Sequence, residues 1–462
     1  MSFNSKLIEL LKNSIKSNSN FLAIKDRHCE LTYFQVESAV DECIKRLRSC
    51  GLKNGHIMLI HQEKSTDFLI VMLACIFSGI IYVPLDESIP PERIKAIAHE
   101  TGAFAIYHDN GKLLKFDSKT TYLKKGVLIF YTSGSTGKPK AVLIPENNII
   151  SFVFWAIKKF EINSFDRISS FSPWHFDLSI FDIFASLFTG SSIHCFPNSL
   201  KVFPVQIYNW IIFHKISIIY MVPTVIRSLV NLNGFSSIDS TILRCILFAG
   251  EPYPLIELLE LRRKFPTQLI SNLYGPTETN VCSYKDIPQL SELNKWKVCP
   301  IGSPLPGFEF LIGNNQHEGE LICIGNNISL GYLNDPESEN FIKVNNIPAY
   351  RTGDLATITD NGYVFLGRTD RQIKFLGHRI DPFEIESILR LCSFVNDAAV
   401  CFDKNRITAF LVCEKYIDEN FIFNHCSKYL SKASCPRKFI FINSIPKTLT
   451  EKVDYKSLLS LV

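Results

Sequence analysis

The residues best equipped for chemistry are Phe130-Tyr131-Thr132-Ser133-Gly134-Ser135-Thr136-Gly137-Lys138-Pro139-Lys140. The apolar run at 127–130 reads as a strand that delivers a polar loop. Glycines in such a loop let backbone N–H groups turn toward an anion, hydroxyls add donors, and lysines add charge. Phosphate is the natural guest. A surface linker shares Ser, Gly and Thr, but the strand entry and the two closing lysines are not linker features. A P-loop needs glycine five residues before its Gly-Lys pair and a hydroxyl residue after the lysine. Here those positions hold Thr132 and Pro139, so this is a different phosphate loop.

Further stretches follow in order. Phe176-Asp177-Leu178-Ser179 places one carboxylate among apolar neighbours. A buried carboxylate is costly unless a cation meets it; alternatively Asp177 caps a helix over 178–187. Phe248-Ala249-Gly250-Glu251-Pro252 ends an apolar run in a turn, and Asn272-Leu273-Tyr274-Gly275-Pro276-Thr277-Glu278 does the same with more polar groups. Tyr350-Arg351-Thr352-Gly353-Asp354, then Gly367-Arg368-Thr369-Asp370-Arg371-Gln372-Ile373-Lys374, and finally Pro446-Lys447-Thr448-Leu449-Thr450-Glu451-Lys452-Val453-Asp454 complete the series.

In this order the stretches resemble the core motifs of the adenylate-forming superfamily, which includes acyl-CoA synthetases, luciferases and the adenylation domains of nonribosomal peptide synthetases. The resemblance covers essentially the whole chain and implies an AMP-forming ligase that uses ATP and Mg2+. It implies that Thr132, Ser133, Gly134, Ser135, Thr136, Gly137 and Lys140 clamp the β- and γ-phosphates. Gly250 and Glu251 would lie against the adenine with Asn272, and Tyr274 would stack on it. Thr277 would contact the α-phosphate and Glu278 would hold magnesium, a hard cation that takes oxygen ligands. Asp354 would accept the ribose hydroxyls, with Arg368 near ribose and phosphate, and Asp370 would be the hinge. Lys452 would join the substrate carboxylate to the α-phosphate, where a positive charge is needed as charge builds up. The family's glycine before that lysine is Glu451 here, a departure that bears on activity.

The same resemblance identifies Asp177 as the partner of a substrate α-ammonium, as in amino-acid-activating members. It places Leu178, Phe181, Tyr220, Leu247, Ala249, Leu273, Val281 and Cys282 around the substrate side chain. None of these eight is charged, so a second charge on the substrate is disfavoured. The set is similar to that of stand-alone L-prolyl ligases, which makes L-proline the favoured substrate, with alanine (including D-alanine), cysteine and valine behind it. An acyl- or aryl-CoA synthetase is disfavoured by Asp177, and an inactive nucleotide-binding relative by Glu278, Asp354 and Lys452. No phosphopantetheine-serine or His-His condensation motif is found, so the acceptor thiol is expected on a separate carrier protein.

The elements that must position these residues alternate. Apolar runs at 57–60, 80–83, 142–144, 193–196, 218–222 and 246–249 read as strands, and 7–15, 36–47, 67–77, 147–159 and 205–213 as helices. Such alternation predicts βαβ units with parallel sheets. Residues 68–85 are nearly free of polar groups but are broken by Ser78-Gly79, and read as a buried helix and strand rather than a membrane span. From about residue 300 glycines and prolines increase and the pattern becomes β-rich. The expected organisation is α/β: a large core at 1–369 and a small α+β lid domain at 370–462.

Composition bounds the function. The chain has 462 residues, too many for one ordinary core. Its net charge of +4 disfavours a nucleic-acid surface. The 14 cysteines show neither a C-x-x-C pair nor zinc spacing. With no signal-peptide core at the start, scattered thiols point to a reducing cytoplasm.

Overall fold

The computed structural model describes residues 5–108, 111–117, 120–132, 139–232, 242–313, 317–369, 371–375, 378–403, 406–414, 417–447 and 453–462. The chain divides into two compact units. One comprises Met1–Asp86, Gly102–Phe130 and Ala141–Thr369; the other comprises Glu87–Thr101, Tyr131–Lys140 and Asp370–Val462.

A nine-stranded sheet organises the first unit. Its order is Ser303–Pro304, Ser283–Asp286, Leu269–Tyr274, Cys245–Ala249, Ile218–Met221, Arg167–Ser170, Ser192–Cys195, Leu22–Lys25 and Glu30–Thr32. The six central strands run parallel and the outer ones antiparallel. Cys245–Ala249 is buried at every residue, as expected for a parallel strand covered on both faces. One large cluster lines one side, holding Leu247 and Leu273; a second holds Ile246, Phe248 and Ile270. The alternation follows from the two-residue period of a strand. A six-stranded sheet is built on Ile57–His61, which pairs in parallel with Ile81–Leu85 and Ala105–His108. The β-rich part is an antiparallel five-stranded sheet of Phe308–Ile312, Glu318–Gly325, Ile347–Thr359, Phe341–Val344 and Gly362–Arg368.

The apolar stretch at 68–85 folds as helix then strand. Ser65 caps helix Thr66–Ser78 by accepting the Phe68 N–H, and Gly79 ends it with φ +68°. A side chain at position 79 would bring Cβ within 2.5 Å of Asn54 Oδ1. No helix among the described residues is long and apolar enough to cross a membrane. Helix Tyr33–Ser49 starts in a capping box, Thr32 with Gln35, which satisfies two N-terminal donors at once.

The second unit centres on a three-stranded sheet. Arg406–Cys413 lies antiparallel to Val395–Asp403 and parallel to Lys438–Phe441. Ala398, Val400 and Leu411 pack on Ile385 and Leu389 of helix Pro382–Arg390, while Ala399 and Phe410 pack on Leu458. In the same unit Arg93 pairs with Glu384 at 2.9 Å. All 14 cysteines are free thiols.

Candidate active site

Parallel register brings the apolar site residues together. Tyr220 stands opposite Leu247, and Ala249 opposite Leu273, across adjacent strands. Phe181, Tyr220, Leu247, Ala249, Leu273, Val281 and Cys282 belong to one buried cluster, with Leu178 packed against it. The Phe181 and Tyr220 rings meet edge to face at 5.3 Å, a favoured arrangement for two quadrupoles. The Cys282 thiol lies 3.7 Å from that of Cys323.

Asp177 sits in the loop between strand Arg167–Ser170 and a helical stretch at 179–189 whose middle, Phe181–Ala185, is a π-helical turn. The helix thus begins two residues past Asp177. Asp177 Oδ2 accepts a 2.7 Å hydrogen bond from the Thr277 hydroxyl. Two residues earlier, His175 Nε2 is 3.5 Å from Asp86 Oδ2. Burial, then the charges of Asp177 and Asp182, push the Tyr220 phenol well above its ordinary value, so Tyr220 is a neutral wall of the site.

The second half of the site is the turn after strand Leu269–Tyr274. At Gly275 a Cβ would lie 1.7 Å from the Asn280 carbonyl oxygen, so the chain closes on itself there only because the side chain is absent. That closure carries Glu278 into full burial. Its Oε1 accepts a 2.7 Å bond from the Tyr332 hydroxyl, which lies 3.0 Å from that of Tyr350. Its carbonyl accepts the Ser329 N–H at 2.7 Å. Tyr274 donates its hydroxyl to Asp354 Oδ2 at 2.6 Å, and Arg368 Nη1 donates to Asp354 Oδ1. Asp354 and Arg368 face each other across neighbouring antiparallel strands. Burial and the adjacent Asp354 charge raise the Tyr274 phenol well above its usual value.

Two expected nucleotide residues also brace the scaffold. Glu251, after Gly250, accepts the Thr224 N–H at 3.0 Å and its hydroxyl at 2.6 Å, at the start of helix Pro223–Val230. The Asn272 amide donates to the Pro300 carbonyl at 2.8 Å. Thr132 ends strand Leu128–Thr132, and Lys140, itself buried, begins strand Lys140–Ile144. Ser133, Gly134, Ser135, Thr136, Gly137, Asp370, Glu451 and Lys452 lie outside the described residues.

Sequence reasoning passed over Tyr332, which belongs to none of the motifs, and assigned no role to Tyr350. A tyrosine carries no spacing signal for a carboxylate 54 residues away. Among the described residues no group of three or more His, Cys, Asp or Glu could cage a metal. A single buried carboxylate at Glu278 suits a cation that arrives with its own phosphate ligands, as Mg2+ does.

Known proteins share the sequence family and the fold. The AMP-binding enzyme family matches residues 11–126 and 117–333, and the AMP-binding enzyme C-terminal domain matches 384–452. An L-proline--[L-prolyl-carrier protein] ligase of Pseudomonas fluorescens is 29 % identical over 497 aligned positions, covering 97 % of each chain. A D-alanine--D-alanyl carrier protein ligase of Bacillus cytotoxicus is 29 % identical over 503, covering 99 % of each. Among solved structures, the Vibrio cholerae adenylation domain AlmE, in complex with glycyl-adenosine-5'-phosphate, matches with a TM-score of 0.85 at 21 % identity, over 100 % of this chain and 98 % of that one. The Klebsiella oxytoca NpsA-ThdA fusion matches with 0.80 at 23 %, over 95 % and 94 %. With its α/β fold, its turn at 274–278 and these matches, the chain belongs to the AMP-binding enzymes, the adenylate-forming superfamily.

Proposed function

We propose that this protein activates a small amino acid as its aminoacyl adenylate and passes it to the phosphopantetheine thiol of a separate carrier protein, with L-proline as the favoured substrate. The observation that carries this reading is Asp177, a half-buried carboxylate hydrogen-bonded to Thr277 whose charge is felt by Tyr220, a member of the apolar cluster that also holds Phe181, Leu247, Ala249 and Leu273. An α-ammonium is the group that such a carboxylate attracts. The full-length likeness to ligases of L-proline and D-alanine supports the substrate class.

In the first half-reaction a substrate carboxylate oxygen attacks the α-phosphorus of ATP, and the bond to pyrophosphate breaks. Asp177 fixes the amine, and Leu178, Phe181, Tyr220, Leu247, Ala249, Leu273, Val281 and Cys282 enclose the side chain. Thr277 contacts the α-phosphate, Asp354 and Arg368 hold the ribose side, and Tyr274 offers its ring to the base. Glu278 would hold Mg2+, which when bound neutralises phosphate charge. The loop from Thr132 to Lys140 retains the leaving pyrophosphate, and Lys452 bridges the two anionic reactants. In the second half-reaction the thiol sulfur attacks the acyl carbon, AMP leaves, and the thiol proton passes to solvent.

A D-alanine substrate is the second reading, favoured by the D-alanyl ligase relatives at equal identity. ATP–pyrophosphate exchange across the standard amino acids and D-alanine decides between them. Proline is expected to give the strongest exchange. Exchange with D-alanine alone would overturn proline, and exchange with acids that lack an amine would overturn the reaction class.

A further inference from the structure

We infer that Lys64 is a positioning residue for amino-acid recognition: its ammonium clamps the start of the loop that carries Asp177 and thereby sets where the substrate amine binds. The inference rests on the reading of Asp177 as the amine's partner.

Lys64 follows strand Ile57–His61 and is buried. Its Nζ donates to the carbonyl oxygens of Ser170, Phe171 and Ser172 at 2.5, 2.5 and 3.3 Å. An ammonium has three N–H donors and no acceptor, so these three carbonyls match its capacity. Three successive carbonyls turned onto one cation cannot continue a strand, whose carbonyls alternate in direction. The strand Arg167–Ser170 therefore stops at the lysine, and the chain departs as the loop to Asp177.

A buried carboxyl lies on the far side of that loop. Asp182, in the π-helical turn, is fully buried. Burial pushes its carboxyl up, and the Lys64 charge is the foremost influence holding it down, ahead of the Ser170 hydroxyl and Lys201. Lys64 in turn is pushed down to about 8 by burial, opposed by Cys195, Asp182 and Glu63. The Lys64 hydrogen bonds thus fix the start of the segment 170–182, its charge acts on Asp182 at the far end, and Asp177, Leu178 and Phe181 lie between them. Smaller ties complete the frame: Trp174 Nε1 donates to Ser170 Oγ at 2.8 Å, and the Ser179 hydroxyl donates to the Phe176 carbonyl at 2.6 Å. Tyr274, Asp354 and Arg368 belong to a different hydrogen-bonded group. The loop meets the nucleotide turn through the Asp177–Thr277 bond, but the base and ribose residues are held without it, so loss of the clamp should act on the amino acid far more than on the nucleotide.

The test uses the full chain with Lys64→Met and the paired Lys64→Met/Asp182→Asn. Exchange is followed against varied amino acid and, separately, varied ATP, and AMP-induced thermal shift reports nucleotide binding. Lys64→Met is expected to raise KM for the amino acid about tenfold or more, the scale of lost charge-assisted hydrogen bonds, with KM for ATP within about twofold. The AMP-induced shift should persist. The paired variant also removes the buried carboxyl that Lys64 offset, so it should melt higher than Lys64→Met and keep the raised amino-acid KM. If Lys64→Met does not fold, the paired variant carries the same comparison. An unchanged amino-acid KM in a folded variant, or equal rises in both KM values, would overturn the clamp. Failure of the Asp177 reading looks different: the wild-type protein itself would accept acids without an amine.

Discussion

The Thr277 hydroxyl donates a 2.7 Å hydrogen bond to the Asp177 carboxylate. One contact thus joins the group proposed to hold the substrate amine to the turn proposed to face the α-phosphate. Thr277→Val keeps the shape and removes the donor. Because a hydrogen bond to a charged group contributes about 1.5–3 kcal/mol, kcat/KM for the amino acid should fall roughly 10- to 100-fold. Steady-state pyrophosphate exchange checks this, and an unchanged value would remove Thr277 from the site.

Tyr332→Phe tests the support of Glu278. The substitution deletes the hydroxyl that bonds the carboxylate at 2.7 Å and lies beside Tyr350. Partners behind a metal-binding side chain commonly matter by 10- to 100-fold in metal affinity, so half-maximal exchange should need about tenfold more Mg2+. A Mg2+ titration at fixed ATP measures the shift. Identical titrations for both proteins would separate Tyr332 from the cation.

Gly275→Ala should open the turn. The new Cβ would meet the Asn280 carbonyl at 1.7 Å, and the obstacle is backbone rather than a flexible side chain. Overpacking of this kind costs about 1–3 kcal/mol. Urea unfolding should show that loss, and exchange activity should fall further than stability does. A variant as active as the parent would mean that the turn relaxes freely.

His194 sets an acid limit on stability. Burial, with His214, Arg167 and Lys25 nearby, pushes its imidazole down to about 3 from 6.5. The unfolded chain binds this proton below about pH 6.5 while the native protein refuses it, so stability falls as pH drops from there toward 3. By pH 5 the loss from this group is about 2 kcal/mol, at 1.36 kcal/mol per pH unit. In His194→Gln the difference in unfolding free energy between pH 7.5 and pH 5 should shrink by about that amount. An unchanged difference would assign the acid sensitivity to other groups.

Much of the architecture was legible because it depends on local pattern. Apolar runs such as 218–222 and 246–249 became the buried strands Ile218–Met221 and Cys245–Ala249. Ser78-Gly79 ended a helix because only a left-handed residue lets the chain leave there at no steric cost. Asp177, Thr277, Glu278 and Asp354 stood in motifs. Their partners did not. Tyr332 meets Glu278, and Lys64 meets Ser170 across 106 residues, through sheet packing that no spacing rule encodes. The π-helical turn at Phe181–Ala185 was illegible for a related reason. A 3.6-residue pattern fits an α-helix there equally well, and only the tertiary setting selects the wider turn.

The parallel register has a consequence for how such a protein diversifies. Tyr220, Leu247, Ala249 and Leu273 each hang from a rung of a ladder whose hydrogen bonds are made by backbone alone. The rungs do not depend on which side chain they carry. One lining residue can therefore be exchanged while the ladder stays intact and the turn that begins at Gly275 keeps its shape. On the proposed reading, the side-chain pocket and the nucleotide turn rest on separate parts of the same sheet, so the first can be revised while the second is kept.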